Sequence, residues 1–120
     1  MFKADDLVPN EIYHIMWQDE EVATVLLSQD KKKIHFQRYV YGIKQPFNGD
    51  ILTVERFYRF LKDRCYEDGR GDLQEILEMA GLSSNNPYEW VKISHGVTWE
   101  DFWWVKFEGE EITWDDVRVR

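Results

Sequence analysis

The sequence predicts a single α+β domain over residues 1–120, in which a small antiparallel sheet is packed by about three helices on one face. Three runs rich in β-branched and aromatic residues fill the first third of the chain. Segments with helical spacing of apolar residues follow, and a strand-like run from Phe102 to Phe107 lies near the end. Strands, then helices, then one last strand is the order of an α+β fold. We therefore expect an N-terminal three-stranded meander and a C-terminal strand to share one sheet.

The three N-terminal strands are expected at residues 12–17, 22–28 and 33–40. Polar segments of hairpin length, 18–21 and 29–32, separate them. The third run alternates apolar with polar side chains, which indicates that one face of the sheet is covered. Residues 1–9 show no clear period and are interpreted as a lead-in.

A stripe of apolar residues at helical spacing predicts the first helix at about residues 53–66. Its members are Val54, Phe57, Leu61 and Cys65. The second helix is expected at 72–81, with Gly81 closing it in a Schellman motif. The third should begin at Pro87, a favourable first helical residue, and should stop by Gly96.

The last third of the chain contains five of the six tryptophans. Residues 98–101 and 113–116 form a near-repeat in which a threonine precedes an acid by three positions, the spacing of a capping box. We therefore predict two short helical turns, each directing one tryptophan inward, on either side of the last strand. Trp103 and Trp104 are neighbours in that strand and must point to opposite faces, so one should be exposed or covered by a helix or partner.

The charge balance limits the classes of partner. The net charge is −8, from 23 acids and 15 bases. This argues against direct binding to nucleic acid and against attraction to an anionic membrane surface. The single cysteine, Cys65, excludes an internal disulfide framework and a cysteine-based zinc site. No apolar stretch has the length of a signal peptide or a membrane span, so we expect a cytoplasmic location.

No set of residues predicts catalysis. The acid pairs Glu100-Asp101 and Asp115-Asp116 are interpreted as helix caps and N-terminal charges, because neighbouring residues on a helical turn point in different directions. His14 and His35 can be neighbours across the meander, but two histidines are too few for a catalytic zinc without a carboxylate ligand, and Cys65 belongs to the apolar stripe of the first helix. A nucleophile, a base and an oxyanion donor cannot be nominated together. We therefore predict a protein that is not an enzyme and has no cofactor.

Several short sequence words in the last third resemble the region that precedes the kinase domain in HipA-like proteins of Firmicutes and their phages. These words are Gly81-Leu82, Asn86-Pro87-Tyr88-Glu89, Ser94-His95-Gly96-Val97, Trp104-Val105-Lys106 and Trp114-Asp115-Asp116-Val117. None of them is catalytic, and neither a glycine-rich phosphate loop nor a kinase catalytic loop is present. The resemblance implies a free-standing accessory module of the kind found in phages and mobile elements, and no kinase.

Three functional hypotheses follow. The first is a non-enzymatic, acidic interaction module that binds and regulates a protein partner, for which the resemblance implies a HipA-like kinase or its antitoxin. The second is a phage anti-defence inhibitor of the anti-CRISPR type, whose acidic face blocks the basic channel of a nucleic-acid-binding protein. The third is a small metal-dependent enzyme.

The first hypothesis assigns partner binding to the tryptophan-rich, acidic C-terminal face. The candidate contacts are Trp99, Glu100, Asp101, Trp104, Glu108, Glu110, Glu111 and Asp115. The sequence leaves open whether the chain forms a homo-oligomer, including one in which edge strands of two copies pair.

Overall fold

A single antiparallel sheet with the strand order β3-β2-β1-β4 organises the chain in a computed structural model that describes residues 11–119. The elements are β1 Ile12–Trp17, β2 Glu20–Leu27, β3 Ile34–Arg38, α1 Val54–Lys62, α2 Leu73–Ala80, α3 Pro87–Ser94, β4 Trp103–Phe107 and α4 Trp114–Val117. The predicted α+β class is confirmed, as are the meander and the C-terminal strand that joins its sheet. The lead-in expected at residues 1–9 lies outside the described residues.

The first hairpin is tighter than the sequence predicts. β2 begins at Glu20, so the turn contains only Gln18 and Asp19, and Gln18 adopts a positive φ of 52°. Pairing shifts by one residue between Ile15 and Met16, which leaves Val22 as the extra residue of a bulge. The bulge places the neighbours Val22 and Ala23 both in the main core, whereas regular alternation would point them to opposite faces of the sheet.

The main core lies between one face of the sheet and helices α1 and α3. Phe57 and Leu61 of α1 are fully buried, and the Phe57 ring meets the edge of Tyr13 at 4.9 Å between ring centroids. α1 ends at Lys62, four residues before the predicted end. After Asp63, the amides of Arg64 and Cys65 donate to carbonyls three residues back, at 3.0 and 3.1 Å, and this tighter turn brings Arg64 into the interior.

The ends of α2 and α3 follow the predicted capping chemistry. Gly81 has φ 75°, and the pair of bonds from Gly81 N to Glu78 O (3.2 Å) and from Leu82 N to Leu77 O (2.9 Å) forms the Schellman motif. Pro87 is the first residue of α3, as predicted. His95 closes α3 in a left-handed conformation with φ 58°.

A second, smaller core forms on the opposite face of the sheet. Met16, Trp104 and Trp114 are its buried members. The β1–β2 turn anchors it, because Gln18 O accepts the indole N–H of Trp104 at 2.6 Å and Asp19 accepts the backbone N–H of Trp114 at 2.8 Å. The C-terminal segment therefore bends around the β4 edge and covers one corner of this second face.

Only one of the two predicted C-terminal helical turns forms. Residues 113–116 carry the capping box and begin α4, with Thr113 N donating to Asp116 at 2.7 Å. Residues 98–101 are not helical, and Trp99 points outward with 68% of its surface exposed, so the inward position predicted for it is wrong. The equivalent acid, Asp101, is bound by Arg64 and so does not cap its own turn.

Trp104 is buried and Trp99 is exposed, so replacing each of them tests where the structure places these two side chains. We expect Trp104→Ala to lower the free energy of unfolding by about 3–5 kcal/mol, because a fully buried indole leaves a cavity and an unpaired Gln18 carbonyl. Trp99→Ala should change it by less than about 0.5 kcal/mol, since the indole is mostly in solvent. Urea unfolding followed by far-UV circular dichroism measures both without depending on tryptophan fluorescence. Equal losses for the two variants would contradict the assignment of Trp104 to the core.

Candidate functional site

A groove of about 720 Å³ lies beside Trp99, between the end of α1, the outer side of α3 and the C-terminal segment. Its apolar walls are formed by Tyr66, Trp90, Ile93, Val97, Trp99 and Val119. Large apolar side chains that remain exposed and adjacent are characteristic of protein-binding surfaces. Here Trp99 and Ile93 are the most exposed, at 68% and 51%.

The floor of the groove is held in place before any partner arrives. Trp90 is buried, and its indole N–H donates to Asn85 at 2.7 Å. The Tyr66 ring packs edge-on against Trp90 at 5.2 Å, and the Arg70 guanidinium lies 5.0 Å from the Tyr66 centroid. A ligand would therefore meet a preformed surface and would order few side chains on binding.

The buried guanidinium of Arg64 fixes the loop that carries Trp99. Its Nε donates to Gly96 O, and its terminal nitrogens donate to both carboxylate oxygens of Asp101 and to Trp103 O at 2.7 Å. The guanidinium also lies 5.2 Å from the Phe60 ring centroid. Four of its five N–H donors thus have acceptors, which is the condition under which a buried arginine is stable.

The backbone conformation of Gly96 favours glycine at this contact. Its φ is 66°, and a Cβ at that position would lie 3.5 Å from Arg64 Nε. That is an ordinary van der Waals distance, so a larger residue would fit beside the guanidinium but would strain the left-handed backbone. The Gly96 carbonyl can therefore accept from Arg64 only in a chain that turns tightly after α3.

Two of the proposed contact acids close the outer edge of β4 instead of forming an open surface. The outward backbone N–H of Trp103 donates to Asp101 at 3.0 Å, and that of Phe107 donates to Glu110 at 2.7 Å. Between them, Val105 N–H donates to His95 O at 2.7 Å. The other carboxylate oxygen of Glu110 lies 2.9 Å from Nε2 of His95. Each outward amide of β4 is therefore satisfied, which protects this edge from pairing with another strand.

The structure does not bring the eight predicted contact residues onto one surface. Trp104 is fully buried, so its assignment as a contact is corrected. Asp101 and Glu110 hold the β4 edge, and Glu108 pairs with His14 on the second face of the sheet. Of the eight, Trp99 alone lines the groove.

Three acids of the predicted set remain open to solvent. Glu100 and Glu111 are exposed and form no ion pair with residues 11–119, whereas Asp115 meets Arg118 at 3.5 Å with 81% of its side chain exposed. These three carboxylates are free to act on an approaching charged partner.

The sequence analysis missed the second wall of the groove, at Tyr66, Ile93 and Val119. A signal for it exists in α3, which has apolar residues on two faces. Tyr88 and Val91 face the main core, while Trp90 and Ile93 lie on the other side of the helix and face the groove. An eight-residue helix that is apolar on both sides indicates a second surface to cover.

A polar cluster on the second face centres on His14, in a small recess of about 180 Å³ that also contains Lys106. The imidazole Nδ1 lies 2.8 Å from Glu21 and Nε2 lies 3.0 Å from Glu108. Burial lowers the pKa of His14, but the hydrogen bonds to the two carboxylates outweigh it, so the pKa is raised above its usual value. Both ring nitrogens can donate only in the imidazolium form, which the two acids favour.

Cys65 has the chemistry of a core residue. Burial raises the pKa of its thiol to about 11, and Sγ donates to Leu61 O at 3.1 Å, so the thiol is protonated at neutral pH. Within residues 11–119, no three His, Cys, Asp or Glu side chains are grouped so that they would hold a metal ion. Helices in the same part of the chain are too short and too polar to span a bilayer.

Comparisons with known proteins returned no match to a family model, to a curated protein or to a solved structure.

Replacing Arg64 measures how much of the free energy of unfolding depends on its buried guanidinium. We expect Arg64→Lys to lower the free energy of unfolding by about 2–4 kcal/mol, because an ammonium cannot bind Asp101 at two points and also reach Gly96 and Trp103. Arg70→Lys is the matched control, since Arg70 pairs with Asp72 on the surface and should show no measurable effect. Denaturant titration at fixed salt gives both values.

A double-substitution cycle tests how much of the lost unfolding free energy comes from the Arg64–Asp101 pair. Combined with Asp101→Asn, Arg64→Lys should cost less than the sum of the two single changes, because both remove the same ion pair. Strict additivity would show that Arg64 is not coupled to Asp101 and acts through its bonds to Gly96 and Trp103 or through packing.

His14 should make stability depend on pH with a defined sign. Because its pKa is raised in the folded state, its contribution is full below the unfolded value of about 6.5 and is lost as the pH rises through the folded value. The gap in unfolding free energy between the wild type and His14→Gln should therefore be largest below the unfolded value and should narrow as the pH rises above it. His35→Gln controls for replacing an exposed imidazole on the same sheet. A gap that widens with pH would contradict the ion-pair assignment.

Proposed function

We propose that this chain is a non-enzymatic protein-interaction module that captures a segment of a partner protein in the groove beside Trp99. One observation carries the proposal: an exposed tryptophan stands over a preformed apolar groove, on a loop that a buried arginine fixes. Tryptophan is enriched among the residues that dominate binding energy at interfaces. Burying the exposed part of Trp99 would contribute on the order of 2–4 kcal/mol before the costs of association.

The acidic C-terminal segment selects a basic partner. Residues 99–116 contain seven acids and one lysine, in a chain of net charge −8. Exposed carboxylates at Glu100, Glu111 and Asp115 create a negative field on this side of the molecule. Such a field speeds encounter with a basic surface and discriminates against acidic ones. The apolar anchor supplies affinity, and the acids supply selectivity.

Two partners fit this chemistry. The resemblance to the region ahead of HipA-like kinase domains favours a regulatory module of a phage or mobile element that binds such a kinase or its antitoxin. The exposed, unpaired acids favour the alternative, an anti-defence inhibitor that covers the basic channel of a nucleic-acid-binding protein. The two differ in salt dependence, because a carboxylate-dominated contact weakens steeply with ionic strength and an indole-anchored contact weakens little.

The first experiment captures partners from a lysate of a Firmicutes host with immobilised wild-type chain and with Trp99→Ala. We expect a defined partner that the wild type retains and Trp99→Ala loses, with a dissociation constant for the purified pair that is at least about 30-fold weaker in the variant. Met79→Ala is the matched control, because Met79 is 89% exposed and lies outside the groove. Binding that is lost equally in both variants would show that the groove is not the site.

A salt series on the purified pair then separates the two partners. A nucleic-acid-binding protein released by moderate salt, and bound more weakly after Glu100→Gln with Glu111→Gln, supports the inhibitor. A HipA-like kinase or antitoxin that is retained in high salt supports the regulatory module.

A further inference from the structure

The two outer edges of the sheet differ in the hydrogen bonding of their backbone groups. At β4, the backbone N–H groups of Trp103, Val105 and Phe107 all donate to acceptors from the surrounding loops. At β3, the ladder to β2 uses residues 33, 35, 37 and 39, as the bonds from Ser28 N to Lys33 O and from Tyr39 N to Val22 O show. The backbone N–H and C=O groups of residues 34, 36 and 38 therefore face outward.

These outward groups of β3 have no hydrogen-bond partner among residues 11–119. They repeat every second residue, as in the ladder of a paired strand. The β3 edge is thus a ready template for a further strand, whereas the β4 edge is closed.

The segment that contains β3 is the basic part of an acidic molecule. Residues 31–49 include five lysines and arginines, one histidine and no acid. Lys31 and Lys44 are neutralised by Glu11 and Glu20, at 2.8 and 3.0 Å. Lys32 and Lys33, at the start of the strand, are exposed and have no ion pair within the described residues.

Arg38, at the other end of β3, has only part of its hydrogen-bonding capacity satisfied. Its side chain is only 10% exposed and is packed against the rings of Phe36 and Tyr41, with the guanidinium carbon 5.3 and 4.8 Å from their centroids. One terminal nitrogen donates to Phe47 O at 3.3 Å, but Nε is buried without an acceptor among residues 11–119, and the pairing with the exposed Asp50 is loose, at 3.6 Å. It also lines a recess of about 590 Å³ together with Tyr41 and Ile43, which are 79% and 86% exposed. A carboxylate would find a cation there, beside an apolar surface.

We propose that β3 accepts an acidic, extended segment of a partner protein as a fifth strand of the sheet. The backbone groups of residues 34, 36 and 38 would pair with the added strand. Carboxylates of that strand would meet Lys32 and Lys33 at one end and Arg38 at the other. The site lies at the opposite edge of the sheet from the groove beside Trp99 and binds the opposite charge.

The same features disfavour other occupants. Antiparallel pairing of β3 with β3 of a second copy would bring together two segments that each carry five bases and no acid. A nucleic acid would satisfy the lysines, but it would leave the regular row of backbone donors and acceptors unpaired, which a peptide strand would pair.

The probe is a fluorescein-labelled ten-residue peptide with two adjacent glutamates at each end and alternating valine and threonine between them, so that carboxylates reach both faces of the sheet. Its control has lysine in place of glutamate. We expect saturable binding of the glutamate peptide alone. Lys33→Glu should weaken it about five- to tenfold, whereas the matched change Lys92→Glu on α3 should leave it within about twofold. Trp99→Ala should leave it unchanged, so failure of this proposal and failure of the groove proposal are distinguishable.

Amide hydrogen exchange followed by NMR locates the bound peptide. The amides of residues 34, 36 and 38 should gain protection when the glutamate peptide is added, while those of residues 35 and 37 are protected beforehand by the ladder to β2.

Four results would each overturn the proposal. They are equal binding of the lysine peptide, protection that appears only around the groove, binding of a single-stranded oligonucleotide in place of the peptide, and a dimer in which residues 34, 36 and 38 are protected without any peptide.

Discussion

The burial of one guanidinium, that of Arg64, is the constraint from which the C-terminal third of the structure follows. A charge removed from water must be matched by acceptors on every side, and Arg64 finds them in Gly96, Asp101 and Trp103. This places the end of α1, the turn after α3 and the start of β4 in one fixed relation. It also takes Asp101 away from its own turn, so residues 98–101 cannot form a capping box and Trp99 is left outside the core.

Local sequence patterns predict the parts of this fold that depend on local physics. Strand alternation, the glycine cap at Gly81 and the proline start at Pro87 are confirmed, because each depends on a few neighbouring residues. The predicted end of α1 is wrong because the position of that end depends on residues far away in the sequence. Arg64 lies seven residues after Phe57 and so on the apolar face of the predicted helix, but nothing within that helix shows that its partners lie 32 to 39 residues further on.

The near-repeat shows the same limit within the candidate site. Asp101 and Asp116 occupy equivalent positions in two similar sequence words, yet one binds a distant arginine and the other caps its helix. Likewise, alternation predicts that Trp103 and Trp104 face opposite sides but cannot identify the side that the chain later covers. That choice depends on the β1–β2 turn, where Gln18 O accepts the indole N–H of Trp104 and the Asp19 carboxylate accepts the backbone N–H of Trp114. In each bond the two partners are more than eighty positions apart in the sequence.

The distribution of charge links the two proposed surfaces. An acidic sequence with a net charge of −8 suggests one uniform field, but the acid-free segment 31–49 and the acid-rich segment 99–116 belong to opposite edges of a four-stranded sheet. The acids at the β4 edge serve two purposes, since Asp101 and Glu110 close that edge while Glu100 and Glu111 remain free to select a partner. Among residues 11–119, no equivalent side chains close β3, where cations flank an open row of backbone groups. A molecule built in this way is suited to hold a basic partner at one edge and an acidic strand at the other, because neither site competes with the other for charge.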